Sequence, residues 1–463
     1  MAGDHWLSDN DLGVLSRLLE RQRQLNDAPP PLREPDEVMR VELYLATDRK
    51  GRRYLTRQPT VDADPETLRP AKAWTPYPPP PPLPPGPETT QPVRVAAPAA
   101  LGPVSREKWR GSLLAGAVGD ALGAPIESKP MDRIRQATGP EGLTDYIADY
   151  DGVGRITDDT QMTLFTLDGL IRERHRRLVT GQGDMSTMRL SLQLAYQRWL
   201  HTQGVPWEKA RGPRDTTAEP DGWLMGIKDL FRRRAPGATC FFALKGYGAT
   251  GEIGTFTHTL NNSKGCGGVM RAAPAALWSD DPAEVFEVGA AAAALTHSHP
   301  SGYLSAGALA VLVHHLVRGA DLHQALDGAR TQLVRWNGHE EQSGALDAAV
   351  ALAGRGKPTP ELVAQLGRGG VGEGALAIAV YAALATDNPN AALLASVNHD
   401  GDSDSTGSIC GNIVGAWYGE GAIRPDWLEK LQLRTVVETA AEDALAVFTD
   451  VGDTDWRHRY PLP

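Results

Sequence analysis

The stretch TPYPPPPPLPPGP, Thr75 to Pro87, constrains the folding of this chain more than any other run of its residues. Each proline fixes its own φ and lacks the N–H that a helix or sheet ladder requires, so no regular hydrogen-bonded element crosses it. An extended, polyproline-like spacer remains, and the chain is divided into a short piece before it and a long piece after it. An SH3-type ligand is the alternative use of such a run; nothing else in the composition points to a partner of that kind.

The short piece reads as one helix and one hairpin. SDNDLGVLSRLLERQRQLND sets Leu12, Leu15, Leu18 and Leu19 on a common face, with Ser8 or Asp9 as N-cap. VELYLATDRKGRRYLTRQ alternates around Lys50–Gly51, as a hairpin does. So little structure buries little surface, so this unit is expected to lean on the main body or on a protein partner.

From Val104 onward the apolar periodicity is helical almost throughout. SGYLSAGALAVLVHHLVRGADL and GEGALAIAVYAALATD are rich in Ala and Gly, as suits helices whose backbones approach closely. The expected layout is a small α+β unit at 1–70, a Pro-rich linker at 71–103, a large all-α domain at 104–450 and a C-terminal tail at 451–463. The formal charge is −10 without sustained basic runs, which argues against binding through a nucleic-acid backbone. Cys240, Cys266 and Cys410 are isolated, so a reducing compartment is expected and a thiolate zinc site is not. The N-terminus lacks the pattern of a secretory signal, and no apolar run is long enough for a membrane span. A soluble cytoplasmic protein is the expectation.

HDGDSDSTG, His399 to Gly407, concentrates acid among residues too small to bury much. A second acidic cluster lies in ITDDTQMT, Ile156 to Thr163, just ahead of an apolar helical run. A polar turn would explain the first cluster taken alone, whereas a helix cap would explain one acid of the second but not two adjacent carboxylates beside a threonine. Together they supply four carboxylates and two hydroxyls. Such hard oxygen donors suit magnesium, manganese or calcium, and the number suits a two-metal site.

Five segments in order now carry a resemblance: GSLLAGAVGDALGAPIE (Gly111 to Glu127), ITDDTQMT, SKGCGGVMRAAP (Ser263 to Pro274), THSHPSGYLSAGALA (Thr296 to Ala310) and HDGDSDSTGSICGNIVGAWYG (His399 to Gly419). The chain resembles the ADP-ribosylglycohydrolase family, all-α dinuclear magnesium or manganese hydrolases, over roughly residues 105 to 420. The resemblance implies a large orthogonal helical domain and two Mg²⁺ or Mn²⁺ held by Thr157, Asp158, Asp159, Asp402, Asp404 and Ser405. It implies that Glu127 and Asp159 are catalytic, Glu127 as the gate or acid–base carboxylate beside the ribose. Gly265, Gly267 and Gly268 would wrap a diphosphate, with His297 near the phosphates or ribose and Tyr303 offering a surface to the ligand.

Several residues also have plainer readings. Glu127 alone is a loop acid left on the turn where Pro125 ends a helix. That helix has a buried stripe of Leu113, Leu114, Ala117, Val118, Ala121 and Leu122. Asp120 either lines the site or is structural. His299, His314, His315 and Cys410 receive no chemical role, and no Cys/His/Asn arrangement supports Cys266 as a nucleophile.

The resemblance implies hydrolysis of the glycosidic bond of an ADP-ribosylated target, with arginine-linked protein the first expectation. Serine-linked, other O-linked and nucleic-acid-linked ADP-ribose are alternative substrates; nucleic acid enters only in that form. A different class of function is an immunity or binding protein that neutralises an ADP-ribosylating toxin through residues 1 to about 75. A magnesium phosphohydrolase acting on nucleotides is a third.

Overall fold

In a computed structural model of the chain, the described residues are the strands Tyr44–Thr47 and Arg53–Thr56 and residues 101–462, apart from 149–151, 214, 450–451 and 453. The chain divides into two units, Met1–Ala96 and Ala97–Pro463. In the first, the two strands pair antiparallel with Tyr44 opposite Thr56 and Thr47 opposite Arg53. This is the hairpin that the alternation predicts. The expected Leu12–Leu19 helix, the proline spacer and any partner surface on them lie outside the described residues.

The second unit is built from helices, in agreement with the all-α expectation. Those that matter here are α1 (Arg106–Gly123), α2 (Asp158–Thr180), α3 (Met185–Thr202), α4 (Pro282–Ala294), α5 (Pro300–Val317), α6 (Gly372–Leu384), α7 (Ser403–Tyr418) and α8 (Arg434–Phe448). Among the described residues no helix is long and apolar enough to cross a membrane.

The α1–α7 pair forms the centre. Gly111 faces Gly415, Gly119 faces Gly407 and Gly123 faces Ser403, so the two helices run antiparallel. Their backbones touch where glycines meet: a Cβ on Gly407, Gly411 or Gly415 would overlap the carbonyl of Gly119, Ala115 or Gly111. Such proximity lets side chain and backbone exchange bonds across the seam. Ser112 Oγ donates to the Asn412 carbonyl at 2.9 Å, and Asn412 Nδ2 donates to the Ser112 carbonyl at 2.9 Å. The predicted α1 stripe is buried, but so is every residue from Gly111 to Gly123. A helix surrounded on all sides shows no clean amphipathic signal.

Around this pair, α2 packs on α3, α4 on α5, and α6 on α7, while α8 closes over α1 and α2. Trp109 is fully buried, and its indole N–H donates to the Ala441 carbonyl at 3.0 Å. The end of the chain, expected as a tail at 451–463, is folded against this body. Trp456 and Tyr460 are buried, and the Pro461 carbonyl accepts from Arg172 Nη1 at 2.6 Å. The two aromatic residues supply the apolar area that holds it there.

The consequence for function is topological. Antiparallel packing sets the C-terminal end of α1 beside the N-terminal end of α7. Asp120 of α1 then binds the N-terminal end of α2, so three helix ends converge.

Candidate metal centre and active site

α1 ends at Gly123, two residues before Pro125, and a short 3₁₀ turn over Ala124–Ile126 leads to Glu127. Ser128, at φ 58°, donates its N–H to the Gly401 carbonyl at 2.7 Å. This ties the Glu127 turn to the acidic loop ahead of α7. Oxygen atoms of Glu127, Asp402 and Asp404 consequently lie within 4.8 Å of one another. Glu127 is half-buried, and Asp402, Asp404 and Ser405 are buried.

At α2, Thr157 is the N-cap and accepts from the Asp159 N–H at 3.3 Å, as the capping chemistry of TDD predicts. The anchor of this turn is Asp120. Its carboxylate accepts from the N–H groups of Thr157 at 3.0 Å and Thr160 at 3.1 Å, and from Thr160 Oγ1 at 2.5 Å. With these bonds and complete burial, Asp120 positions the acidic turn from behind. Burial raises its pKa to about 6, against the lowering effect of those donors. Asp158 accepts from the Gly237 N–H at 3.1 Å. Asp159 Oδ1 is buried and has no hydrogen-bond partner.

The electrostatics of this cage are unfavourable as they stand. Burial first, then neighbouring carboxylates, push Asp158, Asp159 and Asp404 well above the ordinary carboxylate value of 3.8. None of the main influences on these groups is a cation. The N-termini of α2 and α7 direct partial positive charge at the acids, but a helix terminus carries only about half a unit charge. An orphaned buried oxygen, carboxylates held within ion-bridging reach and an all-oxygen donor set fit divalent cations such as Mg²⁺ or Mn²⁺. Thr157, Asp158, Asp159, Asp402, Asp404 and Ser405 are all gathered at these two helix starts.

The glycine loop borders the cage. Cys266 N donates to the Gly370 carbonyl at 3.3 Å, Gly372 N donates to the Lys264 carbonyl at 2.8 Å, and Gly265 bridges Val371. Cys266 Sγ lies 3.1 Å from Asp402 Oδ2. Burial pushes its thiol well above the ordinary 9.0, with Asp402 adding to the effect. Gly265 is partly exposed, whereas Gly267 and Gly268 are buried. A Cβ on Gly268 would stand 2.7 Å from Ala293 Cβ, so the loop sits directly on α4.

His297 packs beside this loop. It is 2% exposed, and its imidazole faces the undersides of Gly265 and Gly267. Its Nδ1 pairs with Thr296 Oγ1 at 2.8 Å, and that hydroxyl accepts from Arg271 Nη2 at 2.6 Å. Burial, with Arg271 nearby, lowers its pKa to about 3, so the ring is neutral. It supports the glycine loop from beneath. Tyr303 is buried on the first turn of α5, with its ring 5.2 Å from that of Phe256. His299 is the N-cap of α5 and accepts from the Ser301 N–H at 3.2 Å.

Sequence reasoning missed the loop Gly367–Gly372. Its Arg368 carbonyl accepts from the Asp402 N–H at 2.8 Å, and a Cβ on Gly401 would overlap that same carbonyl. The available signal was the run GRGGVG, whose glycines mirror those of SKGCGG.

The model of the family described as ADP-ribosylglycohydrolase matches residues 102–454. The ADP-ribosyl-[dinitrogen reductase] glycohydrolase of Rhodospirillum rubrum is 26% identical over 347 residues, covering 74% of this chain and 97% of the relative. The ADP-ribosylarginine hydrolase Tri1 of Serratia proteamaculans is 24% identical, covering 77% and 84% respectively. The ADP-ribosylhydrolase ARH3 of Danio rerio is 24% identical, covering 72% and 88%. A solved structure, an ADP-ribosylglycohydrolase-related protein complex, superimposes with a TM-score of 0.53 at 25% identity, covering 74% of this chain and 99% of that one. The chain thus belongs to the ADP-ribosylglycohydrolase family, hydrolases acting on glycosyl bonds.

Proposed function

We propose that the protein releases ADP-ribose from arginine-linked ADP-ribosyl groups on proteins, using two Mg²⁺ or Mn²⁺ ions. The observation that carries this reading is the buried acid cage: Asp159 has an unpartnered oxygen, and Glu127 stands beside Asp402 and Asp404. Relatives named as ADP-ribosylarginine hydrolases in Serratia proteamaculans and Pseudomonas putida support the linkage.

In this reading Thr157, Asp158, Asp159, Asp402, Asp404 and Ser405 hold the ions. When bound, the ions supply Lewis acidity that orients the vicinal hydroxyls of the distal ribose and makes water more acidic. The protein provides the rest. Gly265, Gly267 and Gly268 furnish close backbone approach to the diphosphate. His297, fixed through Thr296 and Arg271, keeps that loop in shape. Tyr303 borders the ligand from α5.

Hydrolysis breaks the anomeric C–N bond, adds the hydroxyl of water to the sugar carbon and returns its proton to the leaving guanidine. Glu127 relays that proton, while Asp159 and the other buried carboxylates stabilise the oxocarbenium-like charge. The three cysteines are free and buried, as suits work in the reducing cytoplasm.

The test follows free ADP-ribose from arginine-linked and serine-linked peptides with Mg²⁺, with Mn²⁺ and after EDTA. Release from the arginine peptide is expected, lost with EDTA and in Asp402→Ala, and lowered about 10²–10⁴-fold in Glu127→Gln. Release from the serine peptide alone would transfer the assignment to O-linked substrates. Release from neither would overturn the proposed acceptor class.

A further inference from the structure

Cys266 is a cysteine in direct contact with one of the proposed oxygen ligands. Its Sγ stands 3.1 Å from Asp402 Oδ2. Asp159, 2% exposed, has the buried oxygen without a partner. An open donor and a thiol therefore belong to the same pocket. We propose that Cys266 gives the cage a sulfur donor, so that it takes a soft divalent ion such as Zn²⁺ or Cd²⁺ through a metal–thiolate bond. This rests on the proposed use of the same cage by Mg²⁺ or Mn²⁺, and makes the site selective in a way that its carboxylates alone are not.

At the tetrahedral angle of a zinc site, a zinc–sulfur distance of about 2.3 Å and a zinc–oxygen distance of about 2.1 Å put the two donors about 3.6 Å apart. Cys266 Sγ and Asp402 Oδ2 stand 3.1 Å apart as an S–H···O pair, so the pair opens by about half an ångström when the metal takes the place of the proton. The loop is also held in place, with Cys266 N on the Gly370 carbonyl and Cys240 Sγ on the Gly267 carbonyl at 3.7 Å. As the metal–sulfur bond forms, the S–H bond breaks and its proton leaves to water. No electrons change hands. Soft and borderline ions favour thiolate, whereas Mg²⁺ gains little from it.

The experiment adds Cd²⁺ alone to the metal-free full-length protein and reads the thiolate-to-Cd²⁺ charge-transfer absorption in the ultraviolet. A band is expected in the wild type and in Cys240→Ser/Cys410→Ser, where Cys266 is the only cysteine left. It should be absent in Cys266→Ser, with the ratio of Cd²⁺ to Mg²⁺ affinity lowered at least about tenfold. Should Cys266→Ser fail to fold, Cys266→Ala or the double variant decides the matter by the same band. Cd²⁺ that displaces Mg²⁺ without a band, or a band that persists without Cys266, overturns the assignment. Failure of the proposed hydrolysis would appear separately, as wild-type protein that releases no ADP-ribose with Mg²⁺ yet still shows the band.

Discussion

Replacing Asp404 by Asn should stabilise the metal-free protein, contrary to the usual effect of altering a buried, hydrogen-bonded residue. Asp404 is 3% exposed, and burial followed by Glu127, Asp159 and Asp402 raises its pKa well above the ordinary 3.8. A group raised on folding contributes stability that is fully present below 3.8 and lost as the pH climbs toward its folded value. If the folded group keeps its proton at pH 7, folding must take one up across 7 − 3.8 = 3.2 pH units. At about 1.4 kcal/mol per unit, the ceiling is about 4 kcal/mol. If it ionises instead, repulsion across 4.8 Å costs about 3 kcal/mol per neighbour at an effective dielectric of about 20. Asn carries neither cost, and its side-chain oxygen can still accept the Ser405 N–H that Asp404 accepts at 3.0 Å.

Urea unfolding of EDTA-treated protein should therefore find Asp404→Asn more stable by about 1–4 kcal/mol at pH 7. The gap should close near pH 4. Saturating Mg²⁺ should then act oppositely: at one hundred times its Kd it adds about 2.7 kcal/mol to the wild type, and much less to the variant. A metal-free variant less stable than the wild type at pH 7, or a gap unchanged between pH 4 and 7, would refute the electrostatic account.

Gly411→Ala should cost about 1–3 kcal/mol or more, because the added methyl meets the Ala115 carbonyl in the α1–α7 seam. Thermal melting should fall accordingly, while Gly344→Ala, whose Cβ meets nothing within 4 Å, should not lower it. Asp120→Ala removes the acceptor for Thr157 and Thr160 and leaves their N–H groups buried. Calorimetric titration should show Mg²⁺ binding weakened about 10–100-fold, the scale on which groups behind metal ligands act.

The acid loops were legible because TDD and DSDS concentrate an unusual composition into few residues. The helical body was legible too, from periodicity between Leu113 and Leu122 and through the Ala-rich segments. What escaped were roles carried by the backbone or decided by burial. Arg368 supplies a carbonyl, which no side-chain pattern announces. The packing of His297 against the glycines is likewise not written in THSH, because burial is decided by the fold. Asp120 could not be assigned because its four-bond embrace of Thr157 and Thr160 joins residues about forty positions apart.

The same distribution explains how an unfavourable cage persists in a folded chain. Repulsion among Glu127, Asp402 and Asp404 acts to drive the end of α1 away from the start of α7. Opposing it is a seam in which glycines let two backbones touch along several turns, reinforced by the reciprocal bonds between Ser112 and Asn412. At the cage itself, Ser128 is tied to Gly401 and Asp402 to Arg368 through the main chain, so the acids cannot separate without breaking backbone hydrogen bonds. A site that relied on flexible loops would relax by letting the carboxylates swing out into water, and an ion would then have to reassemble them. Here the helix pair holds the oxygens together in advance, so the ion's charge relieves repulsion that is already built in. On the proposed metal binding, small residues in the α1–α7 seam thus contribute to the ion's affinity, although they are not among the proposed ligands.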